Sequence, residues 1–227
     1  MNRLCFDQIK GILFDFEGTL VGSQWNRKGA VEETLKKLSE MGFPIDQLQD
    51  LKYSLLMAEA VRIAPEIGQA PVEVKKVVEA IFDRYDEDAL SRWTLRPGAK
   101  EFLHAVKEAG MRTGLVSNAG KAALKKALER FDLTNLLEVI VSRNDVRMLK
   151  PSGEGIDLAL NQLGVTKGSG LYIGDSLDDI LASKEAGLRV VLLLGGEAHR
   201  EVFLSVAPDY FVKDFNELLT LFGRGCS

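Results

Sequence analysis

The stretch of residues 12–20 constrains the fold of this chain most, because an apolar run there ends in an aspartate and then reaches a glycine. Residues 10–16 are predicted to form the first strand. Open α/β sheets deliver polar side chains to the carboxyl ends of buried parallel strands, where they bind ligands. We therefore expect Asp15 to be a nucleophile or a metal ligand, with Glu17 beside the same site.

The composition is typical of a globular protein with a substantial core. The 227 residues are 46% hydrophobic and 27% charged, which fits one large domain or one domain with a modest insertion. A net charge of -4 provides no basic field for nucleic acid or for an anionic membrane. The two cysteines, Cys5 and Cys226, do not make a disulfide framework, so reduced thiols are expected. No signal peptide or membrane-spanning run is visible, and we expect a cytoplasmic protein.

The pattern of the chain changes between residues 23 and 92. Apolar residues recur there at helical spacing, which predicts helices that end near Met41, cover residues 48–57 and follow Pro71, with no strand among them. Elsewhere predicted strands and helices alternate, which indicates βαβ units. We therefore expect an α/β fold, with a doubly wound parallel core at residues 1–22 and 93–227 and an inserted α-helical cap at residues 23–92.

Polar residues follow four of the predicted strands, and in a doubly wound sheet these strand ends lie along one edge. The four groups are Asp15 with Glu17 and Thr19, Ser117 with Asn118, Lys150, and Asp175 with Asp178 and Asp179. Two acidic strand ends repel each other unless a cation compensates, and carboxylate and carbonyl oxygens suit Mg²⁺. A nearby lysine relieves the same repulsion, while hydroxyl, amide and backbone donors suit a tetrahedral anion. The pattern predicts a carboxylate nucleophile that faces a phosphoryl group.

Four motifs in this order resemble those of the haloacid dehalogenase superfamily of phosphohydrolases. Residues 15–20 (DFEGTL) resemble its D-x-D-G-T-L motif, and residues 114–118 (GLVSN) resemble its apolar strand ending in Ser or Thr. Lys150 with Pro151 resembles the third motif, and residues 172–180 (YIGDSLDDI) resemble the fourth. The resemblance covers about residues 10–194 and is closest to the phosphoglycolate-phosphatase-like branch, which has a helical cap after the first motif.

This resemblance implies a nucleophile and a magnesium site. Asp15 is expected to attack phosphorus and form an aspartyl-phosphate. The side chains of Asp15 and Asp175, with the backbone carbonyl of Glu17, are expected to bind Mg²⁺. Asp179 is expected to orient either the metal shell or the lysine of the third motif, and Asp178 is the alternative for that role.

The resemblance also implies a phosphate-binding set. Ser117, with backbone N–H groups near Asn118, is expected to hold the transferring phosphoryl group. Lys150 is expected to pair with both the nucleophile and the phosphate. Gly18 and Thr19, in the turn after the first strand, complete the expected phosphate-binding residues.

Glu17 departs from the family pattern, which usually has an aspartate here as general acid and base. Glutamate can do the same chemistry, but its carboxyl group reaches one methylene further, and a misplacement of about 1 Å can cost on the order of a hundredfold in rate. The enolase-phosphatase branch carries Asp-x-Glu at this place. Dehalogenases of the superfamily lack an acid here and the phosphonate-cleaving members have a small residue, so a carboxylate favours ester hydrolysis.

The function predicted from the sequence is Mg²⁺-dependent hydrolysis of a small phosphate monoester through an aspartyl-phosphate. Two alternatives remain: a non-catalytic regulatory protein that binds Mg²⁺ and a phosphorylated ligand, and a phosphomutase. The expected partner is a small phosphorylated metabolite, and neither nucleic acid nor membrane is expected. Trp25 and Trp93 lie near the two predicted joints of the cap, where they either pack the hinge or contact substrate. The sequence predicts neither the particular ester nor the oligomeric state.

Overall fold

A six-stranded parallel sheet forms the centre of the protein in a computed structural model that describes residues 5–22, 24–195 and 206–223. The strand order is β3-β2-β1-β4-β5-β6, and every pair is parallel. The strands are β1 (Gly11–Phe14), β2 (Arg112–Val116), β3 (Val139–Val141), β4 (Gly170–Gly174), β5 (Arg189–Leu193) and β6 (Tyr210–Val212). The chain runs outward from β1 first on one side and then on the other. This order confirms the predicted doubly wound α/β fold and creates a crevice at the carboxyl end of β1.

Helices cover both faces of the sheet. They are α1 (Arg27–Glu40), α2 (Tyr53–Ile63), α3 (Pro71–Leu90), α4 (Ala99–Glu108), α5 (Lys121–Arg130), α6 (Glu154–Leu163), α7 (Leu177–Ala186) and α8 (Phe215–Gly223). Strand residues alternate between two apolar clusters, as the two-residue period of a strand requires. Leu13 and Tyr172 pack with α6 and α7, whereas Ile12 and Phe14 pack with α4, α5 and α8. Burial on both faces explains the continuous apolar character of β1.

Helices α1, α2 and α3, with their connections, form one helical segment between β1 and α4, which we call the insert. The predicted first and third helices are confirmed, but the second helix begins at Tyr53 and not at residue 48. Residues 45–47 form a 3₁₀ turn, and Lys52 is extended, so the chain changes direction before α2 starts. Leu48 fits the helical spacing because it is buried in the same apolar cluster, not because it belongs to the helix.

Two further expectations concern the cysteines and membranes. Cys5 is disulfide-bonded, so the prediction of a free thiol there is wrong, because spacing along a sequence does not report distances in the fold. Cys226 lies outside the described residues.

Among the helices that the structure describes, none combines the length and the apolar character that crossing a membrane requires.

Candidate active site

The polar strand ends meet at one edge of the sheet around a cavity of about 240 Å³. Asp15 follows β1, Ser117 follows β2, Asp175 follows β4, and Lys150 lies beyond β3. Carboxylate oxygens of Asp15, Asp175 and Asp179 lie within 4.8 Å of one another. The structure therefore brings together the residues that the sequence places at separate strand ends.

Lys150 is the cation at the centre of this cluster. Its Nζ lies 2.6 Å from Asp15 Oδ1 and 2.6 Å from Asp179 Oδ1, and it donates to the Tyr172 hydroxyl at 3.0 Å. Burial alone would lower the pKa of Lys150, but the two carboxylates outweigh burial and raise the pKa well above its ordinary value. The two carboxylates therefore favour the charged form of Lys150.

Both carboxylate oxygens of Asp179 accept hydrogen bonds, one from Lys150 and the other from residues of its own loop. Its Oδ1 accepts from Lys150 and from Tyr172, and its Oδ2 accepts from Ser176 Oγ at 2.6 Å and from the backbone N–H groups of Asp175 and Ser176. Burial opposes ionisation of Asp179, but Lys150 and these hydrogen bonds outweigh it and hold its pKa below the usual range. Asp178, the alternative residue, instead pairs with Lys52 of the insert at 3.0 Å.

The pKa of Asp15 shifts in the direction opposite to that of Asp179. Burial raises the pKa of its carboxyl group well above the usual range, Lys150 opposes this, and the neighbouring carboxylates of Asp179 and Asp175 add to the increase. Three buried carboxylates thus face one buried lysine in the described part of the site. A divalent cation bound by oxygen ligands would remove this imbalance.

Gly18 and Thr19 hold Asp175 and do not line the cavity. Thr19 is fully buried, and its hydroxyl donates to Asp175 Oδ1 at 3.0 Å. Gly18 has φ +89°, and a Cβ there would lie within 2.6 Å of both Asp175 Oδ1 and the Asp175 carboxyl carbon. Both residues therefore lie against Asp175 of the acidic cluster, and their expected role in phosphate binding stays a prediction.

If the acidic cluster binds Mg²⁺, as the sequence predicts, replacing Gly18 with alanine is expected to weaken that binding by about 10-fold or more, the usual effect of disturbing residues that orient metal ligands. Gly42→Ala is the matched control, because Gly42 has φ +88° but open space around its Cβ position. Both variants carry the backbone strain of about 1–2 kcal/mol. The Mg²⁺ dependence of the thermal midpoint should change only in Gly18→Ala. An equal change in both variants would contradict the steric argument.

Asn118 ties the loop after β2 to the loop that carries Lys150. Its Oδ1 accepts from the Lys150 N–H at 2.9 Å, and its Nδ2 donates to the Lys150 carbonyl at 3.1 Å and to the Tyr53 hydroxyl at 3.0 Å. Both polar atoms of the Asn118 side chain therefore already make hydrogen bonds within the protein. Ser117 Oγ accepts from the Ala119 N–H at 3.1 Å, which leaves its hydroxyl hydrogen for another acceptor.

Glu17 faces the two joints of the insert, which are the segments around Trp25 and Trp93 where the insert connects to the rest of the chain. Its Oε1 accepts from the backbone N–H groups of Gln24 and Trp25 at 3.0 and 2.8 Å, and from Trp93 Nε1 at 3.1 Å. Burial raises the pKa of Glu17, while these hydrogen bonds oppose the increase. Glu17 also lines the cavity.

The insert contributes residues to the site that no motif of the sequence indicates. Lys52, Tyr53 and Asp86 line the cavity together with Arg143, which follows β3. Arg143 is 1% exposed and pairs with Asp86 at 2.7 Å. The sequence could have indicated Asp86, because it lies one turn after Phe82 on the apolar face of α3. A charge buried on such a face needs a partner of opposite charge.

Comparisons with known proteins agree with this geometry. The family model for haloacid dehalogenase-like hydrolase matches residues 12–193. A phosphoglycolate phosphatase of Salmonella typhi is 29% identical over 242 residues, covering 98% of this chain and 95% of that protein. The structure of a hydrolase from Pseudomonas syringae superposes with a TM-score of 0.72 at 22% identity, covering 96% and 100% of the two chains. A Thermotoga maritima structure named for β-phosphoglucomutase gives a TM-score of 0.63 at 20% identity, covering 95% and 100%.

The family match spans all four motifs, from the second residue of β1 to the last residue of β5. The curated relative extends over nearly the whole of both chains. The resemblance inferred from the motifs is confirmed: the chain belongs to the haloacid dehalogenase-like hydrolase family and is an enzyme of the phosphatase type.

Proposed function

We propose that this protein hydrolyses a small phosphate monoester through an aspartyl-phosphate formed on Asp15. The observation that carries the proposal is the buried Asp15 carboxylate, which Lys150 holds 2.6 Å away at the mouth of the sheet crevice. A carboxylate fixed in this way is an activated nucleophile for phosphoryl transfer. Ser117 and the backbone of Asn118 lie beside the cavity as donors for the phosphoryl oxygens.

Two displacements at phosphorus account for the reaction. An Asp15 oxygen forms a bond to phosphorus while the ester P–O bond breaks, and Glu17 gives its proton to the departing alkoxide. Glu17 then takes a proton from water, whose oxygen attacks the same phosphorus and breaks its bond to Asp15. Inorganic phosphate leaves, and both carboxyl groups return to their starting states. The raised pKa of Glu17 suits a group that must first donate a proton.

Mg²⁺ fits the donor set of the site, which consists of hard carboxylate oxygens that lie close together. The side chains of Asp15 and Asp175, with the backbone carbonyl of Glu17, would hold the ion. When bound, it would neutralise charge on the phosphoryl group. Asp179 is a poorer ligand, because both of its oxygens already accept hydrogen bonds. We assign it to the positioning of Lys150.

The insert is proposed to act as a cap at residues 23–92 over a core of residues 1–22 and 93–227. Arg27, Lys52 and Tyr53 line the cavity from the insert, with Lys52 paired to Asp178 at 3.0 Å and Arg27 over the ring of Tyr53. A small ester with a second anionic group, such as the phosphoglycolate in the name of the curated relative, suits two basic side chains in the lining. A cap that closes on such a metabolite would exclude water from the first step.

The binding-protein alternative has one observation in its favour. Glu17 Oε1 accepts three hydrogen bonds at the joints of the insert, and in that position it is not directed at Asp15 by any described contact. If Glu17 never leaves the joints, the site would bind a phosphorylated ligand without turnover.

The test is release of inorganic phosphate from a panel of small phosphate esters, with Mg²⁺ and with a chelator. The panel includes 2-phosphoglycolate and sugar phosphates. We expect Mg²⁺-dependent release from at least one ester. Binding of esters without release of phosphate would favour the regulatory protein, and an isomerised sugar phosphate without free phosphate would favour the mutase.

A further inference from the structure

A buried ion cluster joins helix α3 of the insert to the loops after β2 and β3. The guanidinium of Arg143 donates from Nη2 to the carboxylates of Asp83 and Asp86, the latter at 2.7 Å. It also lies 5.4 Å from the centre of the Phe82 ring. Arg143 and Asp86 are 1% and 2% exposed, whereas the side chain of Asp83 is 48% exposed. A buried pair of this kind is costly to break, because the remaining partner is left as an unpaired buried charge.

Arg143 and Asp86 also hold the two peptide groups between residues 118 and 120. Arg143 Nη1 donates to the Asn118 carbonyl at 2.9 Å, and the Arg143 N–H donates to the Ala119 carbonyl at 3.0 Å. Asp86 Oδ2 accepts from the Gly120 N–H at 2.8 Å. The peptide between residues 119 and 120 is thus held at both of its polar ends, once by Arg143 and once by α3.

The peptide between residues 118 and 119 transmits this constraint to Ser117. Its carbonyl is held by Arg143, and its N–H donates to Ser117 Oγ at 3.1 Å. With Oγ occupied as an acceptor, the Ser117 hydroxyl is oriented as a donor. Since Ser117 and Asn118 are the proposed phosphate ligands, the ion cluster controls the direction of a donor that the phosphoryl group needs.

Gly120 shows how closely α3 approaches this loop. A Cβ at residue 120 would lie 2.7 Å from Arg143 Nη2, 3.1 Å from Asp86 Oδ2 and closer still to Asp83 Oδ1, so a larger residue would displace these side chains. The ion cluster thus packs directly against the backbone of Gly120, and the hydrogen bond from Gly120 to Asp86 requires α3 to be docked.

We propose that Asp86 and Arg143 are positioning residues, through which the docked insert holds residues 117–120 in the conformation that binds the phosphoryl group. Undocking of α3 removes the Asp86 contacts and releases the loop, so phosphate affinity falls when the insert moves away. This inference rests on the proposed function, because it assumes that Ser117 and the Asn118 backbone contact phosphate.

The experiment compares Asp86→Asn with Asp83→Asn in the full-length protein with Mg²⁺. Both substitutions remove one carboxylate from Arg143, but only Asp86 also accepts a hydrogen bond from residues 117–120. Binding of inorganic phosphate is measured by calorimetry, and exchange of the Gly120 amide hydrogen is measured by NMR or mass spectrometry. We expect Asp86→Asn to weaken phosphate binding by about 10-fold or more and to speed Gly120 exchange, as loss of hydrogen bonds to a charged group predicts. Asp83→Asn should stay within about twofold of the parent, as for a partly exposed partner.

Two further measurements keep the proposal falsifiable. The double variant Asp86→Asn with Arg143→Gln removes both charges, so it avoids a lone buried charge if the single variant fails to fold. In this variant we expect a raised KM for the phosphate ester with a smaller change in kcat. Equal phosphate affinity in the parent and in folded Asp86 variants, or equal losses in Asp83→Asn and Asp86→Asn, would overturn the inference. A parent that neither binds phosphate nor releases it from any ester of the panel would instead overturn the proposed function.

Discussion

Replacing Asp15 with asparagine is expected to reduce phosphate release by at least about 10⁴-fold, the scale on which covalent enzymes lose turnover with their nucleophile. The amide of asparagine cannot form the bond to phosphorus that the first step requires. Asparagine can still accept a hydrogen bond from Lys150, which lies 2.6 Å from the present carboxylate. The measurement is single-turnover phosphate release from the best ester of the panel. Turnover at the parental rate would refute the assignment of the nucleophile.

The same substitution should not destabilise the protein in the absence of Mg²⁺. Asp15 shares its surroundings with the buried carboxylates of Asp175 and Asp179, and Lys150 is the cation between them. Burial and these neighbours raise the pKa of Asp15, so without a bound cation its negative charge carries an energetic cost that Lys150 offsets only in part. Neutral asparagine removes that cost. We expect an unchanged or higher thermal midpoint without Mg²⁺, and a smaller increase on adding Mg²⁺ than the parent shows. A clearly lower midpoint without Mg²⁺ would contradict this account of the site.

The strand ends were predictable from the sequence because their placement follows from topology. Parallel strands of a doubly wound sheet all end at one edge, so an apolar run that finishes in a polar residue locates a site residue without any coordinates. Asp15, Ser117 and Asp175 follow β1, β2 and β4 in this way. The helices of the core were predictable for a similar reason. The signals that define a helix, its apolar spacing and the glycine at its end, lie within a few residues of each other in the sequence.

Contacts between distant segments were not predictable in the same way. Thr19 belongs to the first motif, but its hydroxyl donates to Asp175, 156 residues later. The pairing of Arg143 with Asp86 likewise depends on how α3 packs on the loops of the core. A sequence shows that a charge lies on an apolar helix face, but not which opposite charge meets it. The same limit applies to Leu48. It is buried with the residues of α2 and fits their apolar spacing, although it lies before the start of that helix.

Replacing Glu17 with glutamine is expected to lower turnover of esters with alkoxide leaving groups by about 10²–10⁴-fold, the usual contribution of general acid–base catalysis. Glutamine is the informative substitution because it keeps the length of the side chain. Its carbonyl oxygen can still accept from Trp25 N–H and Trp93 Nε1, which lie 2.8 and 3.1 Å from Glu17 Oε1. The joints of the insert should therefore keep their structure, and the thermal midpoint should stay close to that of the parent.

A leaving group that needs no proton separates the two tasks of Glu17. With p-nitrophenyl phosphate, the first displacement should stay fast in Glu17→Gln, because p-nitrophenolate departs without an acid. The second displacement still needs a base to activate water, so the aspartyl-phosphate on Asp15 should accumulate. We expect a burst of one p-nitrophenol per enzyme followed by slow release of phosphate.

Glu17→Asp tests whether the length of the side chain is matched to the site. Aspartate shortens the reach by one methylene, so its carboxylate cannot keep the contacts to Gln24, Trp25 and Trp93 that Glu17 makes. A displacement of about 1 Å predicts a loss on the order of a hundredfold, in which both displacements slow together and no burst appears. If Glu17→Asp is instead faster than the parent, then the joints hold Glu17 away from the substrate, and the contacts at Trp93 restrain the acid–base group. If Glu17→Gln turns over both kinds of ester at the parental rate, Glu17 is not the acid–base residue at all.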